Sequence, residues 1–214
     1  MEHANYQLTI VSSPIPADGA PKKIRKLASE SGIPASLRGK VWAWFLGPLM
    51  PRRESGRFEE LVKSSGPLDE RTEAEINRFV SLPKTSMKLI KRVYSDHSAF
   101  TQSTGLSDLR SLVSAYTHSH PNTTNNTIPM IAGLLLIHCV AEDAYYLLSG
   151  MVDGLMKDHF HGNGVVIDAN VFAGVLGGSE KALSRKFKDL GIHREFLLSP
   201  LNLRLHSLDR TYLG

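Results

Sequence analysis

The histidines and their spacing are the first feature of this sequence that could bind a metal ion. His118 and His120 form one closely spaced pair, and His159 and His161 form the other. Residues two apart do not share a helix face, and no cysteine or acidic residue stands at zinc spacing from either pair. We therefore expect polar, solvated histidines and no metal site.

The sequence contains no clear motif for a nucleophilic residue or for a phosphate-binding loop. Cys139 is the single cysteine of the chain and lies in an apolar run, where a thiol stays protonated and inert. No Gly-x-Ser-x-Gly motif for a nucleophilic serine occurs. The glycine-rich stretch 174–179 lacks the lysine of a phosphate-binding loop, so we expect a helix to end there and Ser179 to cap the next one.

Composition excludes several classes of protein. The 214 residues carry 25 Lys+Arg against 21 Asp+Glu, a formal net charge of +4, and 42% are apolar. Such a chain is too apolar to be wholly disordered, and its charge does not demand nucleic acid as a partner. The first residues do not resemble a secretory signal, and the apolar run 128–140 is shorter than the roughly 20 residues of a spanning helix. We expect a cytoplasmic protein.

Helical periodicity dominates the chain after an irregular, proline-rich lead-in over residues 1–21. Apolar residues then recur at helical spacing, and few segments alternate with period two. The pattern predicts an all-α, multi-helix single domain over residues 22–214. The predicted helices are Lys22–Ser31, Leu37–Leu46, Phe58–Val62, Asp69–Leu82, Thr85–Tyr94 and Ile128–Val140, with further apolar stripes at 106–116, 144–155, 167–175 and 183–190.

The most specific segment spans residues 25–49. Gly32 is expected to end one helix, and Pro34 to begin the next at its first turn. Leu37 and Trp42 would then be buried, with Arg38 at the edge. From these residues alone, we predict a helix-turn-helix corner that has a structural role.

This segment also resembles the opening motif of TBC domains, the GTPase-activating domains for Rab-family small GTPases. The motif reads R-x(n)-G-I-P-x-x-L-R-x-x-V-W-x-x-L-x-G. A second segment, from Arg92 through His97 to Phe100, is similar to the family's R-T-F/Y-P-x-H-x-x-F, and the resemblance covers roughly residues 22–208. The residues that match the opening motif are Arg25, Gly32, Ile33, Pro34, Leu37, Arg38, Val41, Trp42 and Gly47.

The resemblance implies a mechanism with two inserted side chains, an arginine and a glutamine. An arginine supplied in trans accelerates GTP hydrolysis by about 10³–10⁵. Arg92 is the candidate for the arginine finger, although Ser86 and Leu89 stand where the family has Ile and Asp. Arg78 is a competing alignment, but the residues after it do not continue the pattern.

The glutamine finger has no counterpart in the sequence. The window between Pro121 and Ile131 contains neither Gln nor Tyr. Counting forward from Pro121 places Thr127 at the glutamine position, and counting back from Ile131 places Asn126 there. Asn126 keeps the amide but is one methylene shorter, which implies a GTPase activation that is weakened or lost, as in a pseudo-GAP.

Further expectations follow from the resemblance. The partner would be a Rab-type small GTPase that itself carries the GTP and Mg²⁺, so this chain would need no cofactor of its own. The setting would be vesicle trafficking at endomembranes, with the basic helix Lys22–Ser31 as a contact for an anionic membrane surface. TBC domains add helices after a stretch similar to residues 199–206, so we expect this domain to be incomplete at its C-terminus. The alternatives are an active GAP that uses Arg92 alone and a non-catalytic helical scaffold.

Overall fold

The computed structural model describes residues 14–16, 18–80, 103–121, 123, 127–160 and 164–191. Within these ranges the regular elements are all helices and no strand occurs, so the predicted all-α class is confirmed. The chain divides into two compact units. Unit 1 comprises Met1–Pro121 and Ile128–Leu155, and unit 2 comprises Asn122–Thr127 and Met156–Gly214.

The described helices follow one another along both units. Short 3₁₀ turns at Ala35–Leu37 and Gly47–Leu49 flank the second helix, and a π-helical turn at Gly150–Leu155 continues the seventh. The α-helices are α1 Lys22–Ser31, α2 Arg38–Leu46, α3 Arg57–Ser64, α4 Glu70–Val80, α5 Ser103–Ser119, α6 Ile128–Leu136, α7 Ala141–Ser149, α8 Lys157–Phe160, α9 Gly164–Ser179 and α10 Lys181–Asp189.

The boundaries of α1 confirm the prediction to the residue. Pro21 precedes the first helical residue in an extended conformation, and Gly32 follows the last one with φ of 71°. A left-handed φ favours glycine because other side chains are strained there. The Gly32 amide donates to Ala28 O at 3.2 Å and so satisfies one of the last carbonyls of the helix.

The apolar run 128–140 forms a shorter helix than predicted. α6 ends at Leu136, and the backbone amides of His138 and Cys139 both donate to Leu135 O, at 2.9 and 3.0 Å. Val140 is extended, 68% exposed, and serves as the N-cap residue of α7. The chain therefore turns here, and the helix ends four residues before the predicted end at Val140.

The core of unit 1 is centred on α5. Its side chains Leu109, Leu112, Val113, Ala115 and Tyr116 are fully buried, which confirms the predicted stripe. Helices α3, α6 and α7 pack around it. Burying one large apolar side chain contributes about 1.5–3 kcal/mol, so this row is a principal source of the stability of unit 1.

Unit 2 includes α8, α9 and α10 among its described residues. The prediction that Ser179 caps the last helix is wrong. Ser179 is the final residue of α9, and its hydroxyl donates to Val175 O at 2.8 Å within the same helix. Glu180 occupies the N-cap position of α10 without a side-chain cap hydrogen bond.

Candidate functional site

The corner between α1 and α2 is held by Arg38, the first residue of α2. Its Nε donates to Ile33 O at 3.2 Å, and its Nη1 lies 3.5 Å from His138 Nε2. The first contact closes the turn between the two helices, and the second reaches the segment that follows α6. Arg38 therefore joins two parts of unit 1 that are 100 residues apart in sequence.

The segment after α6 packs directly on the start of α2. The His138 ring meets the Trp42 ring edge-on, with centroids 5.1 Å apart and planes at 88°. A Cβ atom at Gly39 would lie 2.7 Å from His138 O and 3.0 Å from Cys139 Cβ. The two backbones approach each other so closely that position 39 accommodates glycine without displacement and no larger residue.

The apolar motif residues Ile33, Leu37 and Val41 belong to one apolar cluster of the corner. Ala20, Ile24, Leu37, Val41 and Trp44 are buried there, and Ile33 packs against them. Arg25 Nε donates to Ala20 O at 2.8 Å and so fixes the residues before α1 to that helix. The prediction that Trp42 is buried is wrong: it is half-buried against His138, and Trp44, 2% exposed, occupies the core.

A second polar cluster lies where α5 ends. His120 Nε2 lies 3.1 Å from Asp153 Oδ2, and Tyr116 OH donates to Asp153 Oδ1 at 3.1 Å. The His120 ring stacks on the Tyr116 ring with centroids 4.4 Å apart. Ser119 Oγ is 2.8 Å from His120 Nδ1 and accepts a hydrogen bond from Tyr145 OH at 3.2 Å.

Burial alone would lower the pKa of His120, but the hydrogen-bonded Asp153 carboxylate outweighs it, and the pKa is raised above 6.5. The prediction of a solvated side chain is therefore wrong for His120, because a carboxylate 33 residues further along the chain pairs with it. His118, on the same helix, is exposed as predicted.

Comparison with known proteins gives the family of this chain. The sequence model of the Rab-GTPase-TBC domain matches residues 35–209. This chain belongs to the Rab-GTPase-TBC domain family. The match begins at the 3₁₀ turn that leads into Arg38, so it includes α2 and the segment after α6 but not α1 or the turn at residues 32–34.

Three proteins illustrate the relatives of similar sequence. The chain is 26% identical over 164 residues to GTPase-activating protein gyp2 of Schizosaccharomyces pombe, a stretch of 75% of this chain and 22% of that protein. It is 28% identical over 160 residues to TBC1 domain family member whacked of Drosophila melanogaster, covering 72% and 41%. It is 26% identical over 157 residues to TBC1 domain family member 10B of Mus musculus, covering 71% and 18%. The chain thus spans less than half the length of these curated relatives.

Most of the residues that are expected to carry the chemistry of this TBC domain are not among the described residues. Arg92, His97, Phe100 and Asn126 lie outside the residues that the structure describes. Arg78 lies in helix α4, but its side chain is not described. The roles of these residues stay predictions.

Thr127, the alternative finger position, lies within the described residues. Thr127, which counting forward from Pro121 aligns with the glutamine, is 8% exposed. A finger must project from the surface to enter a partner's nucleotide site, and a buried threonine cannot do so. Thr127 is therefore disfavoured as a finger, and the assignment of Asn126 stays a prediction.

A third pair joins helices of unit 2 in this TBC domain. His159 Nδ1 lies 2.5 Å from Asp168 Oδ2, and the histidine side chain is 8% exposed. The prediction of a solvated histidine is therefore wrong here too, while His161 is outside the described residues. No group of three or more His, Cys, Asp or Glu that could hold a metal ion occurs in the described ranges.

The thiol of Cys139 is held in a protonated state. Its Sγ donates to Leu135 O at 3.0 Å. Burial, reinforced by the charge of Asp143, raises the pKa of Cys139 to about 12. These contacts agree with the predicted structural role of Cys139, and its low reactivity stays a prediction.

A surface cluster around Arg53 was not predicted from the sequence. Arg53 pairs with Asp143, and its guanidinium lies over the Tyr146 ring, 5.0 Å from the centroid. The Tyr146 hydroxyl accepts from the Glu54 amide at 3.0 Å. No local spacing could reveal this cluster, because Arg53 and Asp143 are 90 residues apart in sequence. In the described part of the chain, no helix is both long and apolar enough to cross a membrane.

Proposed function

We propose that this TBC domain binds a Rab-type small GTPase and stimulates GTP hydrolysis weakly or not at all. One observation carries the proposal: the matched region, residues 35–209, contains a single glutamine, Gln102. No glutamine follows it anywhere in the chain. The expected finger position after Pro121 therefore has no side chain that matches the family's glutamine.

The chemistry explains why this difference matters. Phosphoryl transfer to water requires stabilisation of the charge on the transferred group and an oriented attacking water. In this proposal Arg92 supplies the first and Asn126 would have to supply the second. An asparagine amide one methylene short cannot occupy the same position, and an error of about 1 Å in placing a reactant can cost on the order of 100-fold in rate. GTP and Mg²⁺ remain on the GTPase, and the TBC domain needs no cofactor.

The described corner supports the binding part of the proposal. Arg38 contacts Ile33 O and His138, and the apolar cluster around Trp44 is continuous. Since the residues that build this corner are complete, the loss concerns the finger and not the scaffold. A regulator that still engages its GTPase is consistent with this combination.

The second candidate is an active GAP in which Arg92 acts alone and the GTPase's own glutamine orients the water. The sequence from Arg92 through His97 to Phe100 favours it, because that segment keeps the family's spacing. Mutating the glutamine of the GTPase separates the candidates. Activity that depends on Arg92 alone would be abolished by this change.

The test is single-turnover GTP hydrolysis over a panel of Rab GTPases, with direct binding measured in parallel. We expect binding with little stimulation, and we expect Asn126→Gln to raise the stimulation. Arg92→Ala is the finger variant, and Arg52→Ala, at an exposed arginine of unit 1, is its matched control. Strong stimulation by the wild-type chain that is lost in Arg92→Ala but kept in Arg52→Ala would refute weakened activity and favour the second candidate. Absence of binding to every Rab would refute both.

A further inference from the structure

The polar cluster at the end of α5 joins three elements of unit 1. His120 follows α5 directly, Asp153 lies in the π-helical turn Gly150–Leu155, and Tyr145 lies in α7. Tyr145 OH donates to Ser119 Oγ at 3.2 Å, Ser119 Oγ lies 2.8 Å from His120 Nδ1, and His120 Nε2 lies 3.1 Å from Asp153 Oδ2. This series of contacts ties the end of α5 to α7 on one side and to the π-helical turn on the other.

Both ring nitrogens of His120 face hydrogen-bond acceptors. Nε2 faces the Asp153 carboxylate, and Nδ1 lies 3.0 Å from Tyr116 O, a carbonyl oxygen that can only accept. Ser119 Oγ donates to Ala115 O at 2.9 Å and so presents a lone pair to Nδ1. A neutral imidazole has one N–H, whereas the charged ring has two. The geometry of the cluster therefore fits the charged ring.

The surroundings of the ring favour its charge in two further ways. Tyr116 O belongs to the last turn of α5, where the helix dipole favours a cation. Asp153 Oδ2 is shielded from water, and a buried carboxylate oxygen is costly unless a cation or a donor faces it. Burial of His120 opposes the charge, but the hydrogen-bonded Asp153 outweighs it and raises the pKa of His120. The two side chains are 27% and 30% exposed, so protons can reach them from solvent.

Charged groups on the other elements packed against α5 face other partners. Helix α6 carries no charged side chain. The charges recorded on α3, α4 and α7 are engaged as follows: Arg57 with Glu60, Glu73 with Arg110, and Glu142 and Asp143 with Arg53. Within the described residues, Asp153 is therefore the acid that controls the His120 ring.

The π-helical turn is also packed closely against residues 49–50. A Cβ atom at Gly150 would lie 2.7 Å from Met50 Cγ, and one at Gly154 would lie 2.7 Å from Leu49 Cβ. Turns of this kind are rare and occur frequently at functional sites. Residues 49–50 contact the turn through these glycines and His120 contacts it through Asp153, so the protonation state of His120 decides whether both attachments are made.

We propose that His120 is a proton-controlled latch between α5 and the π-helical turn Gly150–Leu155, closed when the ring is charged and loosened when the ring is neutral. Loss of the proton converts a charge-assisted contact with Asp153 into a neutral one, which is about half as strong. It also leaves one ring nitrogen without the N–H that its acceptor requires. A histidine stabilised in its charged form loses this stabilisation as pH rises through its folded pKa, so the latch loosens between about pH 6 and about pH 8. This device goes beyond the proposed function, because it needs no GTPase.

The test is hydrogen exchange of the backbone amides of Gly150–Leu155 in the full chain, at pH 6 and at pH 8, corrected for the intrinsic exchange rate at each pH. We expect the protection of the turn to fall about fivefold from pH 6 to pH 8, since a hydrogen bond to a charged group is stronger than a neutral one by about that factor. His120→Gln cannot carry the charge, and Asp153→Asn cannot attract it. Both variants should show low protection at pH 6 and no change with pH.

The matched control is His118→Gln, which removes an exposed histidine from the same helix. We expect this variant to keep the pH dependence of the wild type. Equal protection of the wild-type turn at pH 6 and pH 8 would overturn the proposal. So would a pH dependence that persists in His120→Gln and in Asp153→Asn, or one that disappears in His118→Gln, because another group would then control the turn. Asp153→Asn decides the question by itself if His120→Gln does not fold. The measurement is made without a GTPase, so its outcome is independent of the proposed regulatory function.

Discussion

Replacing Gly39 by alanine tests the close approach of α2 to the segment after α6. The added Cβ would lie 2.7 Å from His138 O and 3.0 Å from Cys139 Cβ. The first distance is well below an ordinary van der Waals contact, and the obstacle is backbone that cannot rotate away. Overpacking of this kind costs about 1–3 kcal/mol.

One gain opposes this cost. Alanine is more favourable than glycine in a helix interior by about 0.5–1 kcal/mol, and Gly39 lies in the first turn of α2. The steric cost is the larger of the two, so we expect a net destabilisation of about 1–2 kcal/mol. For a chain of this size each kcal/mol lowers the melting temperature by about 2–4 °C.

The assay is thermal and urea unfolding of the wild-type chain and of two alanine variants. Gly174→Ala is the matched control, because Gly174 is also helical but has nothing within 4 Å of the added Cβ. We expect Gly174→Ala to be neutral or stabilising and Gly39→Ala to unfold earlier. If Gly39→Ala were as stable as Gly174→Ala, the two backbones would not be in contact and the described corner would be wrong.

Three further predictions concern the polar clusters. Arg38→Met should lower the unfolding free energy by about 1–3 kcal/mol, because it leaves Ile33 O without its charged donor; an unchanged urea midpoint would contradict this. Because the pKa of His120 is raised in the folded state, the His120–Asp153 pair stabilises fully below the unfolded pKa near 6.5, and this stabilisation is lost as pH rises through the folded pKa. The stability difference between wild type and Asp153→Asn should therefore shrink as pH rises from about 6 to about 8. Cys139, with a pKa of about 12, should react with iodoacetamide at pH 8 about a thousandfold more slowly in the folded than in the unfolded chain; equal rates would refute its burial.

The sequence predicted elements well where the deciding residues are local. Pro21 and Gly32 bound α1, and both act within one turn of the helix they delimit. The stripe of α5 follows directly from its period, since Leu109, Leu112 and Val113 recur on one face. The end of α6 could not be predicted from local residues. The turn after Leu136 is held against α2, where Gly39 meets His138 O, and that contact joins residues about one hundred positions apart.

The polar pairs likewise depend on residues that are distant in the sequence. His120 and His159 carry no local sign of the carboxylates that pair with them, Asp153 and Asp168. The exchange of Trp42 for Trp44 in the core has another cause. Two residues two apart cannot share a helix face, and the phase of α2 is set by packing against Ile24 and Leu37 rather than by its own sequence.

The arginines that match the family's opening motif make structural contacts, so family membership and GAP activity are separate questions. Arg38 donates to Ile33 O and lies 3.5 Å from His138 Nε2, and Arg25 donates to Ala20 O, so both side chains make structural contacts within the corner. An intact corner therefore shows that the fold is retained and carries no information on catalysis. In the proposed function the chemistry depends instead on Arg92 and on an amide near position 126. A chain could keep every described contact of the corner and still lack the glutamine, so stability variants such as Arg38→Met do not test the proposed activity.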